Sequence, residues 1–171
     1  MAISDLSGFI PLAISRLAVK RLILILGLLL VVGALAGCQP RGVADDPVFS
    51  AVRNNDAIQL GKYLAEGGNP DIRDANGDNL LYVASGARGG LEVVNQLLLA
   101  GADIDQTSNK GRTPLHTAAA WCNVDIVAAL LNAGARVDIM NDENKNALDV
   151  VCARPLDRRE QVIALFLKVG G

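Results

Sequence analysis

Gly111-Arg112-Thr113-Pro114-Leu115-His116-Thr117-Ala118-Ala119 decides how this chain is read, because the stretch returns at a fixed interval. Moved back by 34 residues, Gly111 falls on Gly77, Leu115 on Leu81 and Ala118 on Ala84. A further step of 33 lays Pro114 on Pro47 and Ala118 on Ala51. Gly67, Gly101 and Gly134 keep the same step, as do Asp71, Asp105 and Asp138. Self-similarity at such a period marks a stacked-repeat protein, in which each unit is one supersecondary element.

The third unit shows the grammar. Thr113 suits a helix N-cap, and Pro114 suits the first helical position, where no backbone donor is missed. Leu115, Ala118 and Ala119 put small and apolar groups on one face of a short helix. A turn at Cys122-Asn123 leads into a second helix over 124–132, where Ile126, Val127, Leu130 and Leu131 make a buried stripe. Gly134 then ends it in a left-handed cap. The period and the Thr113-Pro114-Leu115-His116 core together resemble the ankyrin-repeat family. The resemblance implies an all-α solenoid of about four helix-turn-helix repeats, linked by short β-hairpin-like fingers, whose work is binding a protein partner.

Repeats are expected at about 46–73, 74–107, 108–140 and 141–171. One repeat cannot bury its own apolar face, so stability comes from stacking, with polar repeats capping the ends. In the second repeat Leu80 and Tyr82 stand at the Pro and His positions. The stretch 85–90 holds one extra residue and three glycines, which predicts a looser, longer turn. The first repeat reads as an N-terminal cap. The last has Ala147-Leu148-Asp149 in place of Pro-Leu-His, and its second helix, about 158–169, carries Arg158, Arg159, Glu160 and Lys168 as a water-facing C-terminal cap.

Residues 1–37 read differently from the rest. Arg16, Lys20 and Arg21 precede an uncharged apolar run from Leu22 to Ala36, the pattern of an export signal and expected to be an N-terminal apolar helix. Leu35-Ala36-Gly37-Cys38 resembles the lipobox of bacterial lipoproteins, which implies cleavage before Cys38 and lipidation (a diacylglycerol, with palmitate-type chains) of its thiol. Gln39, by the same resemblance, favours the outer membrane of a Gram-negative cell, facing the periplasm. The run is also near the lower limit for a bilayer-spanning helix, so an uncleaved single span with a scaffolding role stands as the alternative. Residues 38–45 form a tether whose seven residues after Cys38 reach at most about 25 Å, holding the repeats close to the membrane.

Without residues 1–37 the chain loses three of its 16 basic and one of its 18 acidic residues, leaving a net charge near −4. That balance gives no footprint for nucleic acid. Cys122 and Cys152 remain in what the export signal makes an oxidising compartment. Stacked helices sit about 8–10 Å apart and a disulfide needs Cα atoms within about 7 Å, so a bridge and two small buried thiols both stay open.

No chemistry announces itself. His116 is the residue the ankyrin pattern requires, and the resemblance implies that its ring bonds backbone in the turn and Thr113. No metal-ligand spacing, nucleophile elbow or cofactor motif occurs, so neither enzyme activity, metal nor cofactor is expected. The carboxylates Asp71, Asp74, Asp103, Asp105, Asp138, Asp142 and Glu143 are expected to hold turns, a hydrolase built on them being the remote alternative. By resemblance, a protein partner meets the finger tips and the exposed sides of the first helices. Those positions are Arg73, Ala75, Asn76 and Asp78 in the second repeat, Thr107, Asn109, Lys110, Arg112, Ala120 and Trp121 in the third, and Met140, Asp142, Glu143 and Lys145 in the fourth. Trp121, flanked by Arg112 and Arg88, is either the anchor of that surface or a cover for the 86–90 turn. Mixed charges on the fingers favour a protein partner over a polyanion, and the chain itself is expected to be a monomer.

Overall fold

Helices begin wherever the repeat places a short polar side chain. The computed structural model describes residues 46–169. The signal segment 1–37, Cys38 and the tether lie outside the described residues. Asp46 caps α1 (Pro47–Arg53), Asp56 caps α2 (Ala57–Ala65) and Asn79 caps α3 (Leu80–Ala84), each accepting a backbone N–H at 2.7–3.0 Å. Thr113 and Asn123 do the same for α5 (Pro114–Ala120) and α6 (Val124–Asn132). The start of α4 (Leu91–Leu99), at Gly90, has no side-chain cap. Each such cap contributes about 1 kcal/mol by occupying a donor the helix cannot. Asp46, Asn79, Thr113 and Asn146 stand in repeat register, so the period sets where each unit's first turn begins.

The second helices end in one way. After α6 the Ala135 N–H reaches the Leu130 carbonyl at 3.0 Å and the Gly134 N–H the Leu131 carbonyl at 3.1 Å, with Gly134 at φ 91°. This is the reciprocal bond pair of a glycine-terminated helix. The same pair closes α5, with Cys122 in the left-handed position at φ 48°. A cysteine there bears a steric cost that glycine would not, of order 1 kcal/mol.

Packing follows the row of units. First helices stack on first helices, α1 on α3 and α3 on α5, and second on second, α2 on α4 and α4 on α6. Small residues let the first helices close up: Ala84, Ala118 and Ala119 are fully buried, beside Leu80, Leu81 and Leu115. From the second helices Leu60, Val93, Val94, Leu97, Ile126, Val127 and Leu130 complete one continuous core. α7 (Leu156–Val169) closes the row against α6 with Val162 and Phe166, while Arg158, Arg159 and Glu160 face water as expected of a terminal unit. Leu167 does not join that core and is 67% exposed.

Several expectations need correction. The fourth unit is not helix-turn-helix: residues 147–150 make only a turn. Its capping box is complete, since Asn146 and Asp149 exchange side-chain bonds to each other's N–H at 3.0 Å. The helix fails to propagate because the Cys152 N–H donates to the Ala119 carbonyl of the previous unit, at 3.2 Å. That diversion also joins Cys122 and Cys152 in a disulfide, with Cα atoms 5.6 Å apart. Of the two outcomes left open the bridge is the one formed, and the helix-stacking distance does not apply because neither cysteine lies within a helix. The first finger carries an isolated antiparallel bridge, Arg73 to Asn79, and no strand occurs among the described residues, so the fingers are hairpin-like turns without a strand ladder. The 86–90 turn is close-packed, not loose: a side chain at Gly89 would strike the Ala84 carbonyl, and one at Gly90 the Asn55 side chain.

Among the described residues no helix is long and apolar enough to cross a membrane.

Candidate functional site

Three fingers, residues 74–78, 108–112 and 141–145, are built alike. In each, the N–H of the first residue bonds the carbonyl of the fifth at 2.9 Å, and the fourth residue's N–H returns to the first carbonyl at 2.9–3.0 Å. The fourth residue is Gly77, Gly111 or Asn144, at φ 77°, 67° and 54°, a region that glycine and asparagine enter most easily. A polar side chain at the first position organises the tip from within. Asp74 accepts from the N–H groups of Asn76 (2.8 Å) and Asp78 (3.1 Å), and Asn141 from those of Glu143 (2.9 Å) and Lys145 (3.1 Å). Ser108 takes the one from Lys110 at 3.3 Å. Asp74, with a side chain only 2% exposed, also receives the Arg53 guanidinium of the first unit at 3.0 Å.

The fingers are locked to one another, so their tips form one surface. The Arg73 guanidinium donates to the carbonyls of Gly77 (2.7 Å) and Thr107 (2.6 Å). Asn79 Nδ2 donates to the Gln106 carbonyl at 3.1 Å, and the Asp142 N–H to the Lys110 carbonyl at 3.2 Å. Asp71 accepts the Asp103 N–H at 2.8 Å and Asp105 the Arg136 N–H at 3.0 Å, which is why those aspartates keep the period. Asp138 instead pairs with the Arg136 side chain at 2.9 Å, and that guanidinium holds its carboxyl below the usual range.

His116 joins the third unit to the fourth. Its Nε2 lies 3.0 Å from the Lys145 carbonyl, which can only accept, so Nε2 carries the proton. Nδ1 then accepts from the Thr113 N–H (3.2 Å) and hydroxyl (2.8 Å). Burial pushes the imidazole's pKa down, with Arg112 adding to the fall and the Lys145 carbonyl opposing it. With both nitrogens engaged and 1% of the residue exposed, this ring is not free to act as a base. Among the described residues no group of three metal-ligating side chains gathers.

The residues expected to meet a partner fall into separate places. Asn76, Asp78, Asn109, Lys110 and Arg112 come together with Ser108 and Tyr82 around a cleft of about 470 Å³ between the first two fingers. Tyr82 was not among the expected residues, although an aromatic group at the position of the family histidine was the signal for it. Burial pushes the Asp78 carboxyl up, Asp74 adds to this, and Arg53, Lys110 and Arg112 pull the other way. Arg73 is taken up by its two carbonyls. On the third finger Lys145 pairs with Glu143 at 2.8 Å, and Asp142 and Met140 are exposed, Met140 by 54%.

Trp121, 60% exposed, sits at the C-cap of α5, whereas Arg112 precedes its N-terminus. At 1.5 Å per residue the helix keeps them about 10 Å or more apart, so they are not one anchor. Trp121 instead borders a cavity of about 310 Å³ with Ala87, Asn123, Asp125, Asp157 and Arg158. Ala87 there is part of the 86–90 turn, which one of the two readings had Trp121 covering, while Arg88 is exposed on the same turn and does not line the cavity.

A row of helix pairs holding its turns in register is a binding scaffold of the helical-repeat class. The family model for ankyrin repeats, in three copies, matches residues 48–141 and again 81–170, and the chain belongs to that family. It is similar to a putative palmitoyltransferase of Danio rerio, 38% identical over 88 residues, which is 51% of this chain and 14% of that one. An E3 ubiquitin-protein ligase of Arabidopsis thaliana is 46% identical over 82 residues, 47% of this chain and 5% of the ligase. An alpha-latrocrustotoxin of Latrodectus tredecimguttatus is 33% identical over 105 residues, 61% of this chain and 7% of the toxin. The chain thus spans at most 14% of the length of these relatives. Their names describe unlike activities, so the likeness speaks for the repeat and not for any one of them. The family's ordinary role is protein–protein interaction.

Proposed function

We propose that this chain is an exported, lipid-anchored ankyrin protein that binds another protein at the periplasmic face of a bacterial membrane and catalyses nothing itself. The observation that carries the binding role is the set of three fingers fixed in register by backbone bonds. Their exposed side chains, among them those of Asn109, Lys110 and Asp142, make none of these scaffold bonds and are spare for a partner. Export and lipidation at Cys38 rest on the lipobox resemblance. The Cys122–Cys152 bridge supports them, since structural disulfides persist in oxidising compartments. Monomeric chains anchored this way act on one partner each, as an inhibitor or immunity factor for an incoming enzyme or as support for a resident envelope protein.

Two measurements test this. Mass spectrometry of the mature chain is expected to find residues 1–37 gone and Cys38 carrying lipid; an intact N-terminus would replace the anchor with a single span. Affinity purification from detergent-solubilised envelope is expected to return one partner in one-to-one ratio, held less tightly after Trp121→Ala or Lys110→Gln. Affinity unmoved by Lys110→Gln would remove the finger face from the account, and affinity unmoved by Trp121→Ala would remove the cavity at the far end of α5.

A further inference from the structure

We infer that the cleft between the first two fingers is a carboxylate subsite, taking a glutamate or aspartate side chain of the bound polypeptide. This rests on the recognition role proposed above and names its chemistry. Three features of the cleft converge. Arg112 Nε is buried and, among the described residues, has no hydrogen-bond acceptor. A buried donor left unpaired costs about 1–3 kcal/mol, a cost removed when the Arg112 guanidinium turns to meet a ligand oxygen in the cleft. Lys110, exposed at the same cleft, belongs to none of the ion pairs among the described residues, which join Arg53 to Asp74, Arg136 to Asp138 and Lys145 to Glu143. Tyr82 brings a phenolic hydroxyl able to donate from the opposite unit.

The charge of the cleft selects the ligand. Among the lining side chains, Lys110 and Arg112 outnumber the one carboxylate, Asp78, by one positive charge, and Glu143, whose field also reaches both cations, is itself paired with Lys145. A singly charged carboxylate matches that excess. A doubly charged phosphate overshoots it and meets Asp78 directly. A cleft of about 470 Å³ admits one such side chain with its flanking backbone.

The test uses isotope-labelled full-length protein in detergent, following the Arg112 Nε–H resonance by NMR. Tetraglutamate, tetraglutamine and inorganic phosphate serve as probes. Tetraglutamate is expected to shift that resonance saturably and tetraglutamine to leave it in place. Lys110→Gln, an exposed change that leaves the fold alone, is expected to weaken tetraglutamate binding about tenfold, and Arg112→Gln to abolish it. An unmoved resonance, an equal response to tetraglutamine, or tighter binding of phosphate than of tetraglutamate would overturn the subsite. If the subsite fails while the native chain still captures its partner from the envelope, recognition by the fingers stands. If capture fails as well, the recognition role falls with it.

Discussion

Reducing the Cys122–Cys152 bridge is expected to destabilise the repeats by a calculable amount. The bridge spans a separation of 30 residues. Restricting an unfolded loop of that size is worth about 3.6 kcal/mol by chain entropy. Release of Cys152 also endangers its N–H bond to the Ala119 carbonyl, which adds roughly 0.5–1.5 kcal/mol. The described domain, residues 46–169, unfolds with an entropy near 2.1 cal/mol/K per residue, so the entropic part alone lowers Tm by about 14 °C. Thermal melts by far-UV circular dichroism, with and without a phosphine reductant, check this. Reduction is confirmed by thiol titration. The double variant Cys122→Ser, Cys152→Ser is expected to melt with the reduced protein. Midpoints that coincide whether the bridge is intact or reduced would refute the reasoning, because they would mean the last unit is held without it.

Other outcomes follow from particular residues. Leu115→Ala, which empties a fully buried site between first helices, is expected to cost about 2–5 kcal/mol in urea unfolding. Asp74→Ala removes the acceptor shared by Asn76, Asp78 and Arg53 and is expected to cost about 1.5–3 kcal/mol, with faster hydrogen exchange at the first finger. His116 has its folded pKa below its unfolded value of 6.5, so at lower pH the unfolded chain binds a proton the folded chain refuses. Its contribution is therefore fully present above the folded and unfolded values, and is lost as pH falls below about 6.5, by at most about 1.4 kcal/mol per unit. His116→Gln is expected to flatten that part of the stability–pH curve, and an unchanged slope would contradict the assigned proton positions.

Much of this architecture was legible because the period carries it. Thr113, Pro114 and Gly134 announce caps whose chemistry is local, and the stripe Ile126, Val127, Leu130 and Leu131 states its burial by spacing alone. The misreadings arose where one unit acts on the next. Nothing local in Ala147-Leu148-Asp149 says that its helix will stop, since the stop comes from the Ala119 carbonyl and Cys122 of another unit. The glycines at 86–90 suggest slack when read alone, yet they are there for the close approach of Ala84 and Asn55. At the surface, several tips named by resemblance fall around the first cleft, but Arg112 is not beside Trp121, which lies at the other end of α5. The recurrence of Asp74, Ser108 and Asn141 at the same step was the available signal for the finger organisers.

The central claim is that the finger face, and not the back of the second helices, meets another protein. A photo-crosslinking amino acid placed in living cells at Asn109, on the second finger, or at Asn132, exposed at the end of α6, tests it most directly. The account predicts one discrete crosslinked protein from Asn109 and none from Asn132. A crosslink from Asn132 with none from Asn109 would contradict it.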